Sequence, residues 1–284
     1  MVGIGRRGFT LVEAIIALTL SSVLVVLVST VFLVQNQYFA IQLERSAAQD
    51  NARMTTEMVA SEIRSVMKAG VTRANNTRLR VNSPMAMGVV CGHPGSNRVA
   101  VQIDGGTSGL VTDDVEGVAL LDPATGDWDY HDAGWSNMYQ SGGTPAAACF
   151  TNGADTVGAY NDFIQFRRFN NYFGGLPAVG SVVMFYREVE YEFDTSEMDP
   201  SVLALFRSVN GDDPVELVTG INGTAQFQYR RVGQTSYQTT VGSGDLDEID
   251  AIRIEAQARR RPRTGGVDDV TFGWGVNVYL RNGG

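Results

Sequence analysis

Residues 14–34 are an unbroken run of Ala, Ile, Leu, Val, Phe, Ser and Thr, and no Asp, Glu, Lys or Arg stands between Glu13 and Glu44. At ~1.5 Å per residue, a helix over this run would reach about 30 Å, the thickness of one hydrocarbon core. From Gln35 the chain turns polar but keeps a helical beat. Ala48, Ala52, Thr55, Val59, Ile63 and Val66 follow one another at steps of four or three, which makes one apolar stripe. Asp50, Arg53, Glu57, Ser61, Arg64 and Lys68 fall on the opposite, solvated face. Neither Pro nor Gly interrupts residues 9–69, and Gly70 is the stop signal. The pattern predicts a single helix of about 60 residues, roughly 90 Å long. Its last part lays the stripe on a globular head, because no heptad repeat is sustained beyond it.

After Gly70 the period changes to two. Val189, Tyr191 and Phe193 alternate with Glu188, Glu190, Glu192 and Asp194. Phe227 and Tyr229 alternate with Gln226, Gln228 and Arg230. Ile252, Ile254, Ala256 and Ala258 alternate with Arg253, Glu255, Gln257 and Arg259, and Phe272, Trp274, Val276, Val278 and Leu280 close the series. These are half-buried antiparallel strands with one wet face. Shorter candidates lie at 98–104, 162–169 and 202–209. One long helix followed by strands predicts an α+β fold, with the helix covering an antiparallel sheet.

Arg6 and Arg7 precede the apolar run, so the start of the chain stays cytoplasmic and the bulk lies outside. A cleaved secretory signal would be shorter and end at an Ala-x-Ala-like site, whereas this run continues into Gln35, Asn36 and Gln37. Glu13 opens the run. A carboxylate within a bilayer costs at least a few kcal/mol and calls for a partner, unless it sits at the headgroup boundary. Gly3, Gly5 and Gly8 also have dinucleotide-loop spacing, but no strand precedes them and a membrane span follows.

The stretch Gly8-Phe9-Thr10-Leu11-Val12-Glu13, after Arg6-Arg7 and before the apolar run, closely resembles the type III signal of type IV pilins and type II secretion pseudopilins. The resemblance implies that a prepilin peptidase cuts between Gly8 and Phe9 and methylates the new N-terminus at Phe9. It implies that Glu13, fifth in the mature chain, pairs with the N-terminal amine of a neighbouring subunit and so sets axial register. The implied partners are other minor and major pilins or pseudopilins, the peptidase and the inner-membrane assembly platform. The implied location is the inner membrane with a periplasmic head, then the pilus or pseudopilus. The segments Gln49–Arg53 and Ser61–Arg64, and the order of strand motifs from Tyr191 to Ile254, resemble PilW-type minor pilins and J-type pseudopilins. The glutamate at Glu13 and the mature length favour a minor pilin just below the pilus tip, where it helps prime assembly. A J-type pseudopilin, or an adhesion or DNA-contacting module on a pilin anchor, is the alternative.

Composition sharpens this division. The chain has 284 residues, 44% hydrophobic and 19% charged, with a net charge of −9. That excludes a disordered polymer, and the lack of a basic footprint argues against general nucleic-acid binding. No Lys or Arg occurs between Arg98 and Arg167, an interval holding ten acids, so the net charge belongs to this section alone. The expected parts are a leader at 1–8, a membrane and filament helix at 9–34, an amphipathic helix at 35–70, and a β-rich head at 71–284 with an acidic, loop-rich section at 104–160.

Cys91 and Cys149 lie outside the cytoplasm in this arrangement, and a disulfide is the economical reading. Unpaired thiols, or zinc binding with His93 and His131, are the alternatives. Asp127, Asp129 and Asp132 read as turn residues on a solvated loop, with a partner or calcium surface as the functional alternative; the further ligands of an EF-hand loop are missing. Trp128, Tyr130, Trp135 and Tyr139 fit either partner-binding aromatics or a small core. Arg259-Arg260-Arg261-Pro262-Arg263 reads as a hairpin loop or a docking patch for an acidic partner. With one lysine, Lys68, and no nucleophile elbow, P-loop or HExxH, the sequence points to a structural subunit with no cofactor or metal rather than an enzyme.

Overall fold

The structure, a computed structural model, describes residues 10–103, 114–132, 149, 163–167, 174–260 and 270–280. Helix α1 (Leu11–Ile63) leads into strands β1 (Val71–Ala74), β2 (Arg78–Gly95), β3 (Arg98–Ile103), β4 (Gly117–Leu121), β5 (Trp128–Asp132), β6 (Phe163–Arg167), β7 (Val182–Thr195), β8 (Leu203–Val209), β9 (Val215–Ile221), β10 (Gln226–Arg231), β11 (Ile249–Arg260) and β12 (Val270–Tyr279). The described strands form one antiparallel sheet. Its main path runs β10-β11-β9-β8-β7-β2-β3-β6, with β1 beside β2, β12 beside β11, and the β4–β5 hairpin attached to β7. One long helix packed on a large antiparallel sheet is the α+β architecture that the change of period predicts.

The stripe on α1 is the contact. Ala48, Ala52, Thr55, Val59 and Ile63 are fully buried, and so is Val66 just beyond the helix. Ala48 and Ala52 meet Ala258 and half-buried Phe272. Small residues on both sides let the helix lie close to the sheet. Further along, Val59 and Ile63 join Leu79, Tyr191, Leu205, Phe227, Ile252 and Ile254 in the main core. There Phe193 and Phe227 stack with centroids 4.8 Å apart. Burial of such side chains contributes about 1.5–3 kcal/mol each.

The helix ends at Ile63, short of Gly70. The Val66 N–H donates to the Ile63 carbonyl at 2.9 Å and the Gly70 N–H to Met67 at 3.0 Å, so two tight turns replace the last helical turn. The reason is packing: Val66 enters the main core while Met67 enters a separate cluster with Ala119, Trp128, Met184 and Tyr186. A continued helix would not serve both.

The wet face predicted for residues 188–194 is an ion-pair ladder. Glu188, Glu190 and Glu192 on β7 meet Arg80 and Arg78 on β2, with Arg80 3.4 Å from Glu188 and Arg73 of β1 3.7 Å from Glu190. The structure adds strands that alternation did not announce, above all the 18-residue β2, which pairs with β7 along most of its length. Its Pro84 is accommodated where the register shifts between Pro84 and Ala86, a bulge that removes the need for a ladder N–H. The solvated-loop reading of residues 127–132 is corrected too. Trp128–Asp132 is strand β5, and Trp128 is buried against Met184 and Tyr186. Trp128 and Tyr130 are thus core residues; Trp135 and Tyr139 lie outside the described residues, as does the run from Arg261 to Arg263.

Candidate functional site

The head uses only the second half of α1. Residues 10–39 are all exposed, and the most apolar window of this helix has a mean hydropathy of 2.6 with none of it buried. Three hydroxyls in this half are turned back on their own helix. Thr19 Oγ1 donates to the Ile16 carbonyl at 2.9 Å, Ser22 Oγ to Thr19 at 2.8 Å, and Thr30 Oγ1 to Val26 at 2.7 Å. Internal satisfaction of hydroxyls is what an apolar surrounding demands. The exposed half is therefore a sheath of Leu, Ile, Val and Phe, with the hydroxyls of Thr19, Ser22 and Thr30 already paired.

At the tip of the sheath Thr10 is the N-cap, in extended conformation (φ −77°, ψ 149°). The Glu13 N–H donates to Thr10 Oγ1 at 3.3 Å, and both the Thr10 N–H and its hydroxyl donate to Glu13 Oε2 at 3.0 Å. This is a capping box, which satisfies two of the helix's free N–H groups reciprocally. The carboxylate that desolvation arguments required to have a partner has one within its own chain, in the first turn, where the helix dipole also favours negative charge. Arg6, Arg7, Gly8 and Phe9 lie outside the described residues.

The other predicted residues do not converge on one place. Cys91 and Cys149 are disulfide-bonded with Cα atoms 4.8 Å apart, which ties β2 to the acidic section. Asp127 lies 3.4 Å from the Lys68 ammonium. Asp129 lies 3.1 Å from His131 Nε2. Asp132 accepts a hydrogen bond from the Tyr186 hydroxyl at 2.8 Å. The His93 ring faces the Pro177 carbonyl at 2.8 Å. Among the described residues no group of three or more His, Cys, Asp or Glu is placed to hold a metal ion.

One carboxylate that the residue pattern did not single out organises the far end of α1. Glu62 receives Arg207 at 3.1 and 3.2 Å, Arg187 at 3.0 Å, Ser83 Oγ at 3.0 Å and the Tyr191 hydroxyl at 2.5 Å. Burial alone would raise its pKa. The hydrogen bonds from Arg207 and Tyr191 and the charges of Arg207 and Arg187 outweigh that, and hold it below the ordinary carboxylate value. The signal was in the spacing: Val59, Glu62 and Val66 lie at steps of three and four, so an acid occupies a core-facing position of the helix. The network clamps the head end of the helix to three strands and leaves the other end bare.

Residues 5–29 match the prokaryotic N-terminal methylation motif. The chain carries a type IV pilin-like prepilin signal. The motif supports the pilin and pseudopilin class, with processing by a prepilin peptidase, assembly with other pilins and membrane anchoring through α1. It covers only the N-terminal part of the chain and does not distinguish subtypes. No curated protein and no solved structure gives a significant match to the chain.

Proposed function

We propose that the chain is a minor pilin, a structural subunit that helps prime assembly of a type IV pilus near its tip. The carrying observation is the methylation motif at 5–29, followed by a helix whose exposed half starts with a capped glutamate and has no contact with its own head. In this reading Arg6 and Arg7 hold the leader in the cytoplasm, cleavage falls after Gly8, and the methylated amine forms on Phe9. The Phe9–Val34 segment waits in the inner membrane with the head in the periplasm. Assembly then moves the apolar sheath from lipid to a bundle of like helices, at little cost in exposed apolar surface. Before assembly Glu13 is held by Thr10. In the bundle the same carboxylate, held by two donors only, accepts the neighbouring subunit's amine, an ion pair strong in a dry environment. The mature balance is then 20 basic against 31 acidic side chains, and the Cys91–Cys149 disulfide joins the acidic section to β2.

The motif serves pseudopilins as well, so a J-type subunit of type II secretion is the second reading; a pilin-anchored adhesion or DNA-contacting module is the third, with the acidic section as its binding element. The test is removal of the gene from its host together with mass spectrometry of the chain. A mature N-terminus at methylated Phe9, with surface pili lost and secretion intact, is the expected result. Loss of secretion with pili intact would transfer the assignment to a pseudopilin. Intact pili with lost adhesion or DNA uptake after deletion of residues 104–160 would assign that section to binding. An uncut leader in the presence of the peptidase would overturn the reading.

A further inference from the structure

Strand β12 pairs only with β11 among the described residues, so it is an edge of the sheet. Its sequence is Val-Thr-Phe-Gly-Trp-Gly-Val-Asn-Val-Tyr, with no charge and no proline. The β11–β12 register runs through ten consecutive pairs, from Ala251 opposite Tyr279 to Arg260 opposite Val270, without a shift. At ~3.4 Å per residue that is an edge of about 34 Å. Sheets protect their edges with charge, proline, bulges, short strands or a covering segment. The other edges among the described strands use these devices, the terminal β6 by being only five residues long. The Phe227 and Tyr229 N–H groups of β10 are taken by the carbonyls of Asn76 and Gln238 at 2.8 and 2.7 Å. Strand β5 carries Asp129 and Asp132, and β1 is four residues long with Arg73 in it. Among the described residues β12 carries no charge, proline or bulge, it is ten residues long, and Trp274 and Tyr279 stay exposed.

Direction restricts what can add to this edge. Phe272, early in β12, packs with Ala48 and Ala52, whereas Val278 and Leu280, at its end, share the core with Val59 and Ile63. Strand and helix therefore run the same way, and the edge flanks α1 just beyond its bare half. A second copy pairing through a two-fold axis would bring β12 against β12 antiparallel and would turn its α1 end over end. Helices anchored in one membrane or one filament all point the same way, so that pairing is closed to the assembled protein.

We propose that the free edge of β12 accepts, by strand addition, an uncharged extended segment from the head of a different pilin-like subunit in the same assembly. The proposal rests on the pilin reading, because that reading supplies the common helix direction. Main-chain hydrogen bonds give the affinity and the flanking Trp274 and Tyr279 select apolar or aromatic neighbours. This joins the head of one subunit to the next and adds a contact independent of the helix bundle.

The test uses the full-length chain in its own host, with a photo-crosslinking amino acid in place of Asn277 and, as control, in place of exposed Val232. The expected result is an adduct from position 277, and not from 232, to an extended segment of another chain that itself bears a methylation signal. Adding Thr271→Lys and Gly273→Lys, where a new Cβ at 273 meets nothing within 4 Å, cuts that adduct about tenfold by charging the edge. Unfolding midpoint and Gly8 cleavage stay unchanged. Cleaved chain with no adduct, an adduct to a second copy or to a chain lacking the signal, or an adduct indifferent to the lysines overturns strand addition and leaves the pilin reading standing. Uncleaved chain overturns the pilin reading, and the edge proposal with it.

Discussion

Arg207 on β8 reaches Glu62 on α1 with two nitrogens, 3.2 Å from Oε2 and 3.1 Å from Oε1, across 145 residues of sequence. Arg187 and Tyr191 on β7 close the same carboxylate from the neighbouring strand. The side chains of Glu62 and Arg207 are 13% and 24% exposed, so the pair is desolvated enough to be worth more than a surface bridge. It holds the end of the helix whose beginning belongs to the membrane.

Glu62→Ala leaves two guanidinium groups and a tyrosine hydroxyl facing a cavity. Removing one partner of a buried pair costs about 3–5 kcal/mol. The expected outcome is a loss in that range, measured by denaturant unfolding of the chain, with Glu62→Gln intermediate. Equal stability of Glu62→Ala and the parent would remove the clamp from the account.

The same carboxylate predicts an acid limb. Its folded pKa lies below its unfolded value, which is the ordinary carboxylate value of 4.5. Its contribution is therefore complete above about 4.5 and is lost as pH falls through the depressed folded value. Unfolding midpoints recorded from pH 7 down to pH 3 should fall less steeply in Glu62→Gln than in the parent.

Glu116 has the opposite sign. Burial, then the charge of Asp132, raises its pKa. The folded state binds the proton more tightly than the unfolded, so Glu116 opposes folding at neutral pH and the penalty fades on acidification. Glu116→Gln should raise the unfolding midpoint at pH 7 and leave it unchanged at pH 3.

Gly117 opens β4 where an added Cβ would overlap the Tyr186 hydroxyl and the His131 carbonyl. Gly117→Ala must displace the ring that donates to Asp132. A loss of about 1–3 kcal/mol is expected from such overpacking, read by the same unfolding experiment.

Reduction or Cys91→Ser opens the loop between Cys91 and Cys149, 58 residues apart. In the chain-entropy model the loss is about 4 kcal/mol. Thermal unfolding with and without reductant measures it, and the difference should vanish in the Cys91→Ser chain.

The stripe from Ala48 to Val66 and the strands at 188–194, 226–230, 252–259 and 272–280 were legible because each encodes one burial periodicity over neighbouring residues. Strand β2 was not. Pro84, Gly88, Gly92 and Pro94 break its alternation, and it is a strand because β7, about a hundred residues later, supplies its ladder. Strand β5 was hidden the same way: Asp127, Asp129 and Asp132 look like a loop until Met184 and Tyr186 give Trp128 something to pack on.

By itself the sequence determined the elements that need only local information: an apolar span, a helix face, the strands with a regular wet side, and the short motif at the N-terminus. Only the tertiary structure decided which carboxylate has partners. Glu13 finds its own within one helical turn, at Thr10, and so could be recognised from spacing. The partners of Glu62 lie 21 to 145 residues away. No local pattern places Ser83, Arg187, Tyr191 and Arg207 around one point, because that convergence is a property of how β2, β7 and β8 pair.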